Sequence, residues 1–134
     1  MKRRAILSTA LLAVALPGLA LASEKKAEKK KGGGESYIQI PTLAATTSTA
    51  SGRRGILTVE TGVDIPDGGL RSHCEASLPR VRAAFAQVVQ IYAAGLTPGS
   101  VPNADFLATS LQREADRVLG RKGARVLLGA ILVN

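Results

Sequence analysis

The residues of this chain best suited to chemistry are three neighbours, His73, Cys74 and Glu75. A thiol nucleophile needs an imidazole within hydrogen-bond reach to take up its proton. The segment is predicted to be helical, and adjacent positions on a helix point about 100° apart, so His73 and Cys74 do not face each other. Cys74 also falls on the apolar stripe of that helix, where burial is expected rather than reactivity. The sequence therefore favours structural roles for both residues, and a thiol enzyme using Cys74 and His73 is the alternative.

Other kinds of site are disfavoured by residue counts and spacing. His73 is the only histidine and Cys74 the only cysteine, so the usual ligand set of a zinc site is missing. Gly68-Gly69 lacks the lysine and the spacing of a phosphate-binding loop. Acidic residues on the solvent side of a predicted strand and at its exit have no partner for general acid–base work. The sequence predicts no catalytic residue, no cofactor and no metal.

The stretch from residue 70 to residue 94 is predicted to be the main amphipathic helix. Its apolar residues recur at steps of three and four, which places them on one stripe of an α-helix. Pro79 lies inside this stretch, and a proline there removes a backbone hydrogen bond and clashes with an earlier carbonyl. We therefore expect either a kink or a short first helix that ends at Ser77. The stripe consists of Leu70, Cys74, Leu78, Val81, Phe85, Val88 and Tyr92.

Two predicted strands precede this helix, and a third closes the chain. Residues 37–47 form the first; Pro41 cannot donate to a ladder, so this strand lies at an edge or is bulged there. Residues 56–65 alternate between apolar and polar side chains, so one face meets core and the other meets water. Residues 124–133 form a nearly continuous apolar run, which is typical of a strand covered on both sides.

A second amphipathic helix follows a proline-containing loop, with Asn103 as its N-cap. Its outer side and end carry Arg113, Arg117 and Arg121. The order strand, strand, helix, helix, strand predicts an α+β fold. In it, two helices pack on one face of a three-stranded, largely antiparallel sheet.

The first 36 residues are predicted to lie outside this domain. Residues 1–22 combine a basic start, an apolar run and an Ala-Leu-Ala cleavage signature, which indicates a signal peptide. A short membrane anchor is the alternative, although the apolar run reaches only about 27 Å and barely spans a bilayer. Arg3-Arg4 leaves the export route, general secretion or twin-arginine, undecided. Residues 23–36 are a flexible Lys- and Gly-rich linker, and residues 37–134 are the folded domain.

The charge distribution argues against nucleic acid as a partner. Of the net charge of +8, residues 1–22 carry +3, residues 23–36 carry +2 and residues 37–134 carry +3. Two Phe, two Tyr and no Trp leave almost nothing on which bases could stack. The linker lysines leave proximity to an anionic membrane surface open.

Several of these segments together resemble the flagellar basal-body-associated FliL family. YIQIPTL is similar to that family's opening strand, and GILTVETGVDI to its second strand. LPRVRAAFAQVVQIY is similar to its Leu-Pro helix, and RVLLGAILV, after a helix ending in VLG, to its final strand. The resemblance covers residues 37–134, and the Leu-Pro segment is its most specific part.

The resemblance implies a stomatin-like fold and a non-enzymatic accessory protein that supports stator and motor function in motility and chemotaxis. It further implies a homo-oligomer in the periplasm, at or near the inner membrane, with flagellar stator and basal-body proteins as partners. Typical members keep an uncleaved transmembrane helix, whereas this chain carries what looks like a removable signal peptide. No catalytic or cofactor residue is implied.

The partner-binding surface is expected at one of two places. One is the sheet edge near Pro41, and the other is the arginine-bearing side of the second helix, with Arg113, Arg117 and Arg121. An exported periplasmic binding domain with an unrelated partner is the alternative to the flagellar role.

Overall fold

The computed structural model of the protein describes residues 34–134. The predicted signal peptide or anchor, and most of the linker, lie outside the described residues. The elements are β1 (Tyr37–Ser48), β2 (Arg54–Asp64), α1 (Gly68–Ala76), α2 (Leu78–Gly95), α3 (Ala104–Leu119) and β3 (Arg125–Val133). The strands form one antiparallel sheet in the order β1-β2-β3. This confirms the predicted α+β fold, with three helices instead of two, while its stomatin-like character stays a prediction.

One face of the sheet forms one side of the core. In β2, Leu57, Val59 and Val63 are fully buried, and Ile65 continues this face just after the strand. The alternation in β1 and β2 places the intervening residues on the opposite face, which no helix covers and which we call the open face. The helices pack on the other face, the core face. Their apolar side chains, which include Phe85, Leu107 and Leu111, form a single cluster with those of the sheet.

The predicted main helix is divided at Ser77. α1 ends at Ala76, where the Ser77 N–H donates to the carbonyls of His73 and Cys74, and α2 begins at Leu78. Pro79 falls in the first turn of α2. It is tolerated there because the first N–H groups of a helix have no partner within it. The short-first-helix interpretation is therefore the correct one, and α1 stops one residue earlier than expected.

The division changes which residues of α2 face the core. Because α2 starts as a separate helix, its most deeply buried row runs at steps of four through Val81, Phe85, Val89 and Ala93. From the predicted stripe, Leu70, Cys74, Val81 and Phe85 are fully buried. Leu78, Val88 and Tyr92 pack against the core while remaining partly exposed. The three partly exposed residues line the rim of the helix layer instead of its centre.

β3 is an edge strand, so the expectation that it is covered on both sides is wrong. It pairs only with β2, and its side chains on the open face, Leu127 and Leu132, are exposed. A continuous apolar run is expected for a strand whose two faces are both covered. It is equally expected for an edge strand whose outer face is apolar, so periodicity does not distinguish the two.

Both outer strands bulge opposite the same residue of β2. In β1 the register shifts between Ile40 and Leu43, so Pro41 and Thr42 stand against Glu60. The register of β3 shifts across Gly129 and Ala130, which stand against Glu60 from the other side. Pro41 therefore lies both in an edge strand and in a bulge, which is where a residue without an N–H is accommodated. Among residues 34–134, no helix is both long enough and apolar enough to cross a membrane.

Candidate functional site

A groove lies between the end of α2, the loop that follows it and the start of α3. We call it the α2–α3 groove, and its volume is about 570 Å³. That size falls within the range of about 300–1,000 Å³ that is usual for binding sites. Its apolar lining comes from Val88, Ile91, Tyr92, Leu96, Val101 and Phe106, and Ser110, Arg113 and Glu114 of α3 supply polar groups.

Hydrogen bonds hold the walls of the groove in place. The Asn103 side chain caps α3 by accepting the Phe106 N–H at 3.0 Å, as its position in the sequence predicts. The Asn103 N–H in turn donates to the Tyr92 hydroxyl at 2.6 Å, which ties the start of α3 to α2. The rings of Tyr92 and Phe106 stack with their centroids 5.7 Å apart. These contacts therefore fix the walls of the groove relative to each other.

Three apolar side chains of the groove are exposed to solvent. The exposed fractions are 68% for Ile91, 88% for Val101 and 55% for Phe106. Single exposed apolar residues are common on proteins, whereas several that share one concave surface mark a contact site for another molecule. These residues were not predicted from the sequence, although Ile91 and Phe106 lie off the apolar stripes of their helices, and an apolar residue on the outer side of a helix is a signal of a binding surface.

The three arginines of the predicted binding surface have different surroundings. Arg117 forms an ion pair with Glu114 at 2.6 Å, and this carboxylate raises the pKa of Arg117. Arg121 reaches across to Asp67 at 2.7 Å. Within the described residues Arg113 forms no ion pair, and it lines the α2–α3 groove. Of the three, Arg113 is thus the one whose charge is available to a ligand in the groove.

The Arg121–Asp67 pair belongs to the start of α1. Asp67 caps α1 by accepting the Leu70 N–H at 2.7 Å. That hydrogen bond and then the Arg121 guanidinium hold the pKa of Asp67 below its usual value. Arg121 therefore joins the end of α3 to the start of α1 and has a structural partner already.

The sheet edge at Pro41, the other predicted binding surface, is separate from the groove. Pro41 is exposed in the bulge of β1 and does not line the α2–α3 groove. Its missing N–H interrupts the row of donors that an added strand would need.

The His73-Cys74-Glu75 cluster is divided between core and solvent. Cys74 is fully buried, while His73 and Glu75 are exposed. Burial, and secondarily Glu75, raises the pKa of the Cys74 thiol, which opposes formation of the nucleophilic thiolate. In the part of the chain that the structure describes, no group of three or more His, Cys, Asp or Glu could hold a metal ion.

Cys74 is expected to resist alkylation in the native protein. Because the thiol is fully buried and its pKa is raised, modification has to wait for an opening of the structure. The rate with iodoacetamide should be at least about a thousandfold lower than in denaturant, because an ordinary domain is stable by about 5 kcal/mol or more. Mass spectrometry over time measures it. Rapid native labelling would contradict burial and restore the thiol-enzyme alternative.

No protein family model matches this chain, and no curated protein matches it either.

Proposed function

We propose that this protein is a non-enzymatic binding module whose α2–α3 groove holds an apolar segment of a partner protein. The observation that carries the proposal is the exposure of Ile91, Val101 and Phe106 in one groove whose walls are hydrogen-bonded together. An apolar partner surface would remove these side chains from water, and each Å² of apolar surface buried contributes roughly 25 cal/mol.

The charge of Arg113 indicates the chemistry of the partner segment. Its guanidinium lines the groove without an ion pair in the described residues, whereas the neighbouring Glu114 is paired with Arg117. A carboxylate on the partner, placed beside its apolar residues, would complement Arg113 and set the orientation of the bound segment. We therefore propose an amphipathic segment with apolar side chains and at least one Asp or Glu.

The proposed biological setting is the flagellar basal body, as an accessory protein of the stator and motor in the periplasm. The support is the resemblance of residues 37–134 to the FliL family, whose most specific part, the Leu-Pro segment, forms the start of α2. Stator or basal-body proteins would then supply the amphipathic segment. An exported binding domain with an unrelated partner would use the same groove.

The groove and the setting are tested by complementation of a deletion strain. Phe106→Ser and Arg113→Glu remove the apolar anchor and reverse the charge, and loss of an anchor typically weakens binding about tenfold or more. Arg82→Glu is the matched control, because Arg82 is exposed on α2 and does not line the groove. We expect reduced swimming on deletion, restored by the parent chain and by Arg82→Glu but not by the two groove variants.

The possible outcomes separate the parts of the proposal. If the deletion reduces swimming, full restoration of swimming by both groove variants would contradict binding in the groove. Normal swimming and normal flagella in the deletion strain would contradict the flagellar setting. Thermal unfolding of Phe106→Ser should match the parent closely, because Phe106 is largely exposed, and this shows that a lost phenotype is not a folding defect.

A further inference from the structure

We propose that residues 128–133, on the outer edge of β3, are a strand-addition site for the same segment of a second copy of this chain. The two β3 strands would run antiparallel, and the two sheets would join into one of six strands. This inference does not depend on the α2–α3 groove, and it names the surface through which the chain would self-associate.

The backbone of β3 presents unpaired groups along this edge. Ile56 and Asn134 exchange both of their backbone hydrogen bonds, at 2.9 and 3.1 Å. Hydrogen-bonded and non-bonded pairs alternate in an antiparallel ladder, so the neighbouring pair Leu57 and Val133 is non-bonded. The same holds for Val59 and Ile131. The N–H and C=O groups of Val133 and Ile131 therefore point away from β2, toward a further strand.

Gln112 of α3 hydrogen-bonds to the backbone at the beginning of this edge, so only the later residues of β3 are free to pair. Its side-chain oxygen accepts the Val126 N–H at 2.9 Å, and its side-chain nitrogen donates to the Ala124 carbonyl at 2.6 Å. The amide thus takes the place of a neighbouring strand at Ala124 and Val126. No such side-chain bond to the backbone of residues 128–133 occurs within the described residues.

The open part of β3, residues 128–133, has fewer of the features that usually protect an edge than β1 has. Natural edge strands carry lysine, proline or bulges that discourage pairing with another chain. β1 has Pro41 in its bulge, whereas residues 128–133, LGAILV, contain neither a charge nor a proline. The bulge of β3 at Gly129 and Ala130 is its only such feature. Of the two edges, that of β3 is the one that accepts a strand.

A second copy complements this edge in side chains as well as in backbone. Pairing Leu128 with Val133 of the other copy joins two outward-facing residues and brings Leu132 opposite Gly129. Leu132 lies on the open face and is 53% exposed. Gly129 has no side chain of its own, and the Glu60 side chain of β2 lies beside it, so Leu132 of the other copy would pack next to the aliphatic part of Glu60. Arg125 falls outside the paired segment, so no like charges meet. An extended segment of another protein would need the same uncharged, apolar character that this chain already supplies.

The proposed pairing involves only six residues of each copy, so the dimer is expected to be weak. A stable interface usually buries about 1,600 Å² in total, and six residues of edge strand provide less than that. We therefore expect a reversible dimer whose population rises with protein concentration.

Sedimentation equilibrium of the full chain over a range of concentrations tests the proposal. Leu132→Glu places a carboxylate beside Glu60 of the other copy, where like charges repel, and removes the apolar contact at Gly129. Val133→Pro removes an outward N–H without taking a bond from the β2 ladder. Each should raise the dimer dissociation constant at least about tenfold. Ile56→Glu is the matched control, because Ile56 lies on the open face of the central strand and is 52% exposed. It should leave the dissociation constant unchanged.

Hydrogen exchange gives a second measurement on the parent chain. The amides of Ile131 and Val133 should exchange more slowly as the dimer forms. A chain that stays monomeric at every concentration would overturn the proposal, as would a dimer that Leu132→Glu and Val133→Pro leave intact. A dimer abolished only by Phe106→Ser would assign self-association to the α2–α3 groove and would equally overturn the β3 assignment.

Discussion

Phe85→Ala is expected to lower the free energy of unfolding by about 3–5 kcal/mol. Phe85 is fully buried and is the largest of the fully buried side chains in residues 34–134. Alanine leaves a cavity at the centre of the layer where α2 covers the sheet, and close-packed neighbours collapse into it only in part. Because domains of this size are stable by only about 5–15 kcal/mol, the variant should lose a large share of its stability.

Phe106→Ala is the matched control for Phe85→Ala. Both residues lie on helices, but Phe106 is 55% exposed at the α2–α3 groove. Its replacement should change the free energy of unfolding by less than about 1 kcal/mol. Urea unfolding followed by circular dichroism measures both variants. Equal losses of stability would show that Phe106 belongs to the core and that the groove is not a site prepared for a partner.

Gly62→Val is expected to lower the free energy of unfolding by about 1–3 kcal/mol. The ring of Tyr37 on β1 lies over Gly62 of β2, and an added Cβ would overlap its Cζ and Oη atoms. Valine has high strand propensity, so propensity alone predicts a gain in stability. The loss is expected because the Tyr37 ring must leave its place over the strand, which exposes ring and backbone together.

Gly95→Ala provides the matched control for Gly62→Val. Gly95 is the last residue of α2, has no atom within 4 Å of the added Cβ and does not adopt a positive φ. The substitution should stabilise the protein by up to about 1 kcal/mol, because glycine loses more backbone freedom on folding than alanine does. Thermal unfolding measures both variants. A stabilising Gly62→Val would contradict the packing of Tyr37 over this strand.

The groove and the β3 edge use different elements, so partner binding and self-association can be measured independently. The groove is built from α2, α3 and the loop between them, and the open edge from residues 128–133. In the proposed dimer both grooves would stay accessible to the partner segment. That arrangement would let one assembly hold two copies of the partner segment.

The sequence by itself determined the type of each element and the apolar face of most of them. Alternation along residues 56–65 predicted a strand buried on one side, and Leu57, Val59 and Val63 are indeed fully buried on that side. Asn103 was recognised as an N-cap, and it caps α3. These features are local, because side-chain spacing along a single element follows from the geometry of that element alone.

Only the tertiary structure decided which surfaces remain open. The apolar run of β3 did not reveal that this strand stands at the edge of the sheet, because that depends on the order of the strands. Arg117 pairs with Glu114 three positions away on the same helix, which is a local contact. Arg121 instead pairs with Asp67, which is 54 positions away and reaches it only in the folded chain. Contacts of this kind join distant parts of the chain, and local periodicity carries no information about them.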